Sequence, residues 1–424
     1  MNTAIRAIIL PERWPAFARG MIAYGSAEGV TRIVRLAAIL VIARQISPEM
    51  LGTAALALSL FELVRVLTNV GVGQRIIQAS ETELGAICNT ASRLFWMICL
   101  GVAAVQLGTA ALVMLAFGLD DVAVMLAALS AVYLFMPAGL VNIFLAMRDQ
   151  RMGATAKVAA IQNIADCALT VVLAIMWPSP WAIVLPKLLT APVWLLLARR
   201  TYSWSPDPLA GRAPLCAFAS FGPAILGSEL LIAARLHCDK LIVGALLGTE
   251  ALGLYYFAFN AGLGITQSLV TACNLVLFPH LAKTQGEELE TEFKRAFLMG
   301  LVALVPLVAA QALLAPVYVP IIFGENWIPA TPFLALLACA AIPLFVAALL
   351  GARFRAVSKP YAETALTVLA TAAALLGLTL GAQLNLMFAC IGFAGGLALI
   401  LLPAAVIQFA PLQRTQPVLS KGGQ

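Results

Sequence analysis

Charge is scarce in this chain. Only 11% of its 424 residues are Asp, Glu, Lys or Arg, against 62% hydrophobic residues, and there are just two histidines, His237 and His280. A water-soluble fold of this length cannot cover so much apolar surface with so little charge, which excludes the soluble classes. The two histidines are far apart, and the eight cysteines include no Cys-x-x-Cys pair and no Cys/His cluster. That argues against a zinc site and a disulfide framework. No Gly-rich loop ends in Lys-Ser/Thr, so ATP is not expected as the direct energy source. No catalytic triad is recognisable, and no cofactor is expected. The basic residues are scattered over seven loops rather than gathered on one face with aromatics, which argues against nucleic acid as a partner. Alternation of period two is missing as well, so a membrane β-barrel is not expected.

What the chain has is long apolar runs. Twelve are of spanning length, at about 21–43, 51–73, 88–117, 122–146, 157–177, 179–199, 215–246, 251–279, 296–322, 329–351, 361–381 and 386–410. About 20 apolar residues in a helix cross roughly 30 Å of hydrocarbon. The expected fold class is therefore an all-α polytopic membrane protein with about twelve transmembrane helices. Arg6, Pro11, Glu12 and Arg13 interrupt any apolar core before Met21, so no cleavable signal is expected.

The basic residues orient these spans. With the N-terminus inside, 19 Lys and Arg fall on the inner side and only Arg44 on the outer. Both termini are expected to be cytoplasmic. Every outer loop is short. The pair Asp120-Asp121 in one of them reads as a solvated turn, and Lys283–Arg295 reads as an amphiphilic inner connector.

A repeat sits at an offset of 201. Residues 41–52 align without gaps on 242–253, and Glu49, Leu51 and Gly52 fall on Glu250, Leu252 and Gly253. The match pairs the first hairpin of spans 1–6 with the first hairpin of spans 7–12. Six spans per half imply parallel repeats, an N-terminal lobe at 1–205 and a C-terminal lobe at 206–424, joined through the polar stretch Thr201–Pro214. Substrate sites in such transporters lie between the repeats near mid-membrane.

Ionisable residues inside spans are the candidate site. The first span carries Glu28, Arg32 and Arg35, and the second Glu62 and Arg65. Asp166 and Lys187 lie in the fifth and sixth, and Glu229, Arg235, Asp239 and Lys240 in the seventh. Facing lipid, each would cost roughly 2.5–3.5 kcal/mol, so they must face one another or a wet cleft. Glu28, Arg32 and Arg35 fall within about 60° on one helix face. Arg32, Arg35, Arg65, Arg235 and Lys240 are the candidate substrate-binding cations, because a planar guanidinium suits phosphate. Glu28, Glu62, Asp166, Lys187 and Asp239 are candidates for charge balance or for coupling to H+ or Na+. For Asp166 with Lys187, a purely structural ion pair stays equally open.

Several stretches together resemble a known family. In the first half they are Ala43-Arg-Gln-Ile-Ser-Pro-Glu-x-Leu-Gly52, Asn69-Val-Gly71 and Ile76-Ile-Gln78. In the second half they are Asp239-Lys-Leu-Ile-Val-Gly244, Leu252-Gly-x-Tyr255, Leu277-Phe-Pro279 and Phe323-Gly-x-x-Trp327-x-x-Ala330. Over residues 15–405 the chain resembles the Wzx-type flippases of the polysaccharide-transport branch of the MOP superfamily. One departure is Asn69, where family members often carry Asp. The resemblance implies a V-shaped, two-lobed fold with a central cavity. It implies transport of a polyprenyl-diphosphate-linked saccharide across the bacterial cytoplasmic (inner) membrane, for exopolysaccharide, capsule or O-antigen synthesis. Membrane lipids and the polysaccharide polymerase and export proteins are the partners it implies. The alternative is a MATE-type cation-coupled drug or metabolite antiporter, against which the Arg-rich stripe argues. A polymerase or ligase acting on the same sugars would need a large outer loop, which the chain lacks.

Overall fold

A computed structural model of the chain describes Val34 and residues 37–219, 222–263, 286–357 and 359–409. Most of the first expected span, with Glu28, Arg32 and Arg35, and about half of the eighth lie outside the described residues, as does His280. Among the described residues there is no strand, and eight helices are long and apolar enough to cross a membrane, or nine if one bent pair counts as a single span. The chain is an all-helical multi-pass membrane protein.

It divides into two compact units. One comprises Met1–Phe257 with Pro316–Thr331, and the other Ala258–Ala315 with Pro332–Gln424. In the first unit, residues 37–45 are helical, and α1 (Pro48–Arg65) follows. Ser47 caps it by accepting from the Met50 amide at 3.3 Å, and Pro48 stands where no helical N–H is needed. The sequence suggests a span to residue 73. Instead α1 ends at Arg65, passes through a 3-10 turn at Val66–Thr68, and gives way to the short α2 (Val72–Gln78). α3 (Leu84–Phe117) is 34 residues long, about 51 Å at helical rise. The expected fourth span is broken into α4 (Asp120–Leu129), α5 (Val132–Phe135) and α6 (Pro137–Arg148), with a bend of 54° at Pro137. Proline removes a helical donor and crowds the preceding turn. α7 (Met152–Met176) runs back, and the sixth span is two helices, α8 (Trp181–Leu189) and α9 (Ala191–Thr201), divided at Thr190 just before Pro192.

After the short α10 (Cys216–Ala219) comes α11 (Gly222–Ala258), interrupted at Gly248, whose φ of 86° only glycine adopts without strain. The chain reverses there. An unbroken helix would hold residues 239 and 255 about 24 Å apart, yet the Tyr255 hydroxyl bonds Asp239 at 2.9 Å.

The turns of this unit gather at two ends. Arg44 donates to the carbonyls of Ile321 and Ile322 at 2.8 and 3.0 Å, and the Trp327 indole donates to the Ala43 carbonyl at 2.6 Å. Arg148 bonds Glu81 at 2.9 Å and the Ala79 carbonyl at 2.8 Å. Each contact joins turns that the distribution of basic residues assigns to the same side.

The second unit takes in most of α12 (Gly286–Phe323), with α13 (Thr331–Cys339), α14 (Ala341–Ala356), α15 (Pro360–Ala382) and α16 (Leu386–Phe409). The connector expected at 283–295 is helical from Gly286 and continuous with the span that follows. α15 and α16 approach backbone to backbone at Gly377 and Gly392, the small-residue packing that van der Waals attraction favours in lipid. A π-turn at Phe259–Leu263 frees two carbonyls, and the buried Gln311 amide bonds those of Ala261 and Gly262 at 2.9 and 2.8 Å.

Candidate functional site

Most of the charged residues singled out above lie in the first unit, on α1, α7, α8 and α11. On α11, Asp239 is 1% exposed and Lys240 6%. The Lys240 ammonium bonds both Asp239 oxygens at 3.1 and 3.2 Å and the Leu236 carbonyl at 2.6 Å. Tyr255 donates to the same carboxylate from the returning arm of the hairpin. A buried carboxylate is tolerable only with such partners. Asp239 and Lys240 therefore brace the two arms around Gly248. Lys240 is committed to this pair, and Asp239 bonds Lys240 and Tyr255 rather than Arg235 four residues earlier.

The second hairpin motif, Leu252-Gly253, meets the first. A methyl built on Gly52 would overlap the Thr249 carbonyl oxygen, and one built on Gly253 would overlap that of Pro48. Pro48 and Thr249 are themselves equivalent at the offset of 201. The contact is thus reciprocal: each copy of the motif supplies the glycine and receives the carbonyl.

On α1, Arg65 donates from Nε to Glu62 at 2.8 Å, yet its side chain stays 47% exposed. His237 lies within electrostatic reach of Glu62, Arg65, Asp239 and Lys240. Its Nδ1 is buried with no hydrogen-bond partner among the described residues. Arg235 is exposed and has no ion-pair partner among the described residues. Asp166 and Lys187 join α7 to α8 at 2.6 Å, and α8 also packs on α1. The second Asp166 oxygen is buried without a partner among the described residues. Asn69, the departure noted above, donates to Glu229 at 3.3 Å. An Asp there would set two carboxylates against each other.

The model of a family described as "Polysaccharide biosynthesis protein" matches residues 41–332. The chain belongs to this family. Among its relatives is the lipopolysaccharide biosynthesis protein WzxC of Escherichia coli K12, 24% identical over 317 residues that make up 70% of this chain and 61% of WzxC. The chain thus spans about three fifths of that relative's length. Two solved structures share the fold. The lipid II flippase MurJ in an inward closed conformation has a TM-score of 0.73 at 11% identity, with 92% of this chain and 89% of MurJ covered. An inward-facing MATE family transporter of the MOP superfamily has a TM-score of 0.64 at 16% identity, with 89% and 93% covered.

In this chain, several motifs behind the resemblance turn out to be structural braces. Asp239-Lys240 and Tyr255 bond each other, the two Leu-Gly pairs cross, and Trp327 fastens onto Ala43. The Asn69–Glu229 bond and the Tyr255–Asp239 bond were not foreseen. Both join residues whose pairing carries no local spacing signal, although an Asp inside a span does ask for a buried donor.

Proposed function

We propose that this family member is a flippase. It carries a polyprenyl-diphosphate-linked oligosaccharide repeat unit across the bacterial cytoplasmic membrane by alternating access, for exopolysaccharide, capsule or O-antigen synthesis. It acts as a carrier rather than an enzyme. In this reading the chain forms twelve spans in two lobes, 1–205 and 206–424, V-shaped around a central cavity, with both termini in the cytoplasm. Arg32, Arg35, Arg65 and Arg235 hold the diphosphate. Glu62 and Asp166 balance charge, with H+ or Na+ as the coupling ion, and Asp239 with Lys240 keeps the seventh-span hairpin in shape. The sugar passes through the wet cleft while the prenyl tail stays in lipid.

The observation that carries the reading is Arg235, an exposed guanidinium inside a span without an ion-pair partner among the described residues. Facing lipid, it would cost roughly 2.5–3.5 kcal/mol. A polar cleft that takes an anion removes that cost and uses the charge. Family membership points the same way. The test is complementation of a deletion strain. Arg235→Ala and Arg65→Ala, at wild-type membrane abundance, should each lower polysaccharide export at least about tenfold, as expected when a charged hydrogen bond to substrate is lost. Drug sensitivity should not change. Undiminished export would reject the arginines' role, and a change in drug sensitivity alone would favour a MATE-type antiporter.

A further inference from the structure

The stretch 201–214, which reads as a polar hinge, is fastened down in the structure. Asn89 on α3 donates to the carbonyls of Asp207 and Gly211 at 2.7 and 2.9 Å, and accepts from the Asp207 amide at 3.2 Å. Thr90 bonds the Ala213 carbonyl at 3.0 Å, and the Ala213 amide bonds the Ala86 carbonyl at 3.2 Å. The buried Asn142 of α6 holds the Tyr202 carbonyl at 2.6 Å. These bonds fix the segment against α3 and α6 and leave a cavity of about 610 Å³ beside it.

The chemistry of that cavity is one-sided. Ser92, Trp96, Arg199, Ser203, Trp204 and Ser205 line it, and no acid does. Arg199 uses Nε on the Ala138 carbonyl at 3.2 Å, which orients the guanidinium and leaves both terminal nitrogens without a partner among the described residues. The three serine hydroxyls and two indole N–H groups also lack partners among the described residues. The nearest acid in sequence, Asp207, is turned to cap the short helix Pro208–Ala210 through the Leu209 amide at 2.9 Å. Donors gathered around one guanidinium with no acid beside them suit a ligand rich in acceptor oxygens, and phosphate is the simplest match.

The position indicates what carries the phosphate. α3 exceeds the roughly 30 Å of hydrocarbon by about 20 Å, and its first turns are tied to the polar segment. Ser92 and Trp96 therefore sit near the membrane–water boundary, where tryptophan is favoured. Near Trp96 in sequence, the apolar Met97 and Leu100 are exposed, as side chains turned to lipid would be. We propose that this cavity binds the phosphate of an anionic lipid headgroup, with Arg199 clamping the phosphate, Ser203 and Ser205 donating to it, and Trp96 and Trp204 flanking the glycerol or prenyl end. Because the segment is already pinned, binding costs little ordering. The site is separate from the span charges assigned to transport. The inference needs only the membrane setting, so it can fail while the flippase reading stands.

Lipid retention by the purified full chain tests it, by native mass spectrometry in detergent with phosphatidylglycerol, phosphatidylcholine or a polyprenyl diphosphate added. Wild type should retain phosphatidylglycerol or the polyprenyl diphosphate in preference to phosphatidylcholine. Arg199→Gln, and separately Ser203→Ala with Ser205→Ala, should weaken that retention about tenfold, with thermal stability in lipid-free detergent unchanged. Arg200→Gln, one residue along and outside the cavity, should behave as wild type. Preference for phosphatidylglycerol identifies bulk phospholipid as the occupant, and preference for the diphosphate identifies substrate docking. Equal retention of phosphatidylcholine, or wild-type retention by both cavity variants, overturns the proposal.

Discussion

Asp239 shows how a charge survives inside a span. Three ammonium and hydroxyl contacts from Lys240 and Tyr255 fill its lone pairs, and it is almost wholly buried. Tyr255→Phe should cost about 1.5–3 kcal/mol, the worth of a hydrogen bond to a charged group. Asp239→Asn leaves Lys240 without its counter-ion and should cost about 3–5 kcal/mol, whereas Asp239→Asn together with Lys240→Met should recover most of it. Thermal unfolding of the purified variants measures both, and a double variant no better than Asp239→Asn alone would speak against the pair. Asn69 poses the opposite case, because its amide supplies the donor that Glu229 needs. Asn69→Asp removes that donor and sets a second carboxylate against Glu229, which should cost about 1–3 kcal/mol. Thermal unfolding of the purified variant reads this directly, and stability equal to wild type would contradict the contact.

At the scale of helices and turns, the crossing of α1 and the α11 hairpin rests on the absence of two side chains. Gly52 and Gly253 each meet a carbonyl of the other motif. Gly52→Ala and Gly253→Ala should each cost at least about 1–3 kcal/mol through overpacking. Because both open one contact, the double variant should cost clearly less than their sum. Strict additivity in thermal unfolding would mean that the two glycines act in different places. The motif was visible in the sequence as a repeat, but its reciprocal packing was not, since identity at an offset of 201 says nothing about contact. Spans were legible wherever an apolar run was continuous, as in α3 and α16. The turn at Gly248 was legible from Gly-Thr-Glu between two runs. Less visible was the early end of α1: the residues after Arg65 remain apolar, so hydropathy passes over the 3-10 turn. The helical start of α12 was hidden by its charges, because a helix projecting from the bilayer can be polar all round. Asn89, which makes the 201–214 segment rigid, bonds residues 118 and 122 positions away, and no local pattern reports such a partner.

For the molecule as a whole, the sidedness of the basic residues predicts the orientation. Contacts between turns group 43–47 with 321–327 and 79–83 with 148. In a cysteine-free background, Asn326→Cys should react with an impermeant maleimide on intact cells, and Ser80→Cys only after lysis. The reverse pattern would invert the topology. Of the candidate site, the charged spans were legible because lipid makes every charge conspicuous. Which charges are committed to braces, as Lys240 is, and which remain available, as Arg235 does, required the structure. The central claim is that the available arginines carry a diphosphate-linked sugar across the bilayer. Reconstitution into vesicles holding a polyprenyl-diphosphate oligosaccharide in both leaflets tests it most directly, with a sugar-oxidising reagent kept outside. Wild-type protein should expose nearly all of the lipid-linked sugar to the reagent, whereas Arg235→Ala should leave the inner half protected, as in protein-free vesicles. Protection of that half by the wild type, or its equal exposure by Arg235→Ala, would contradict the account.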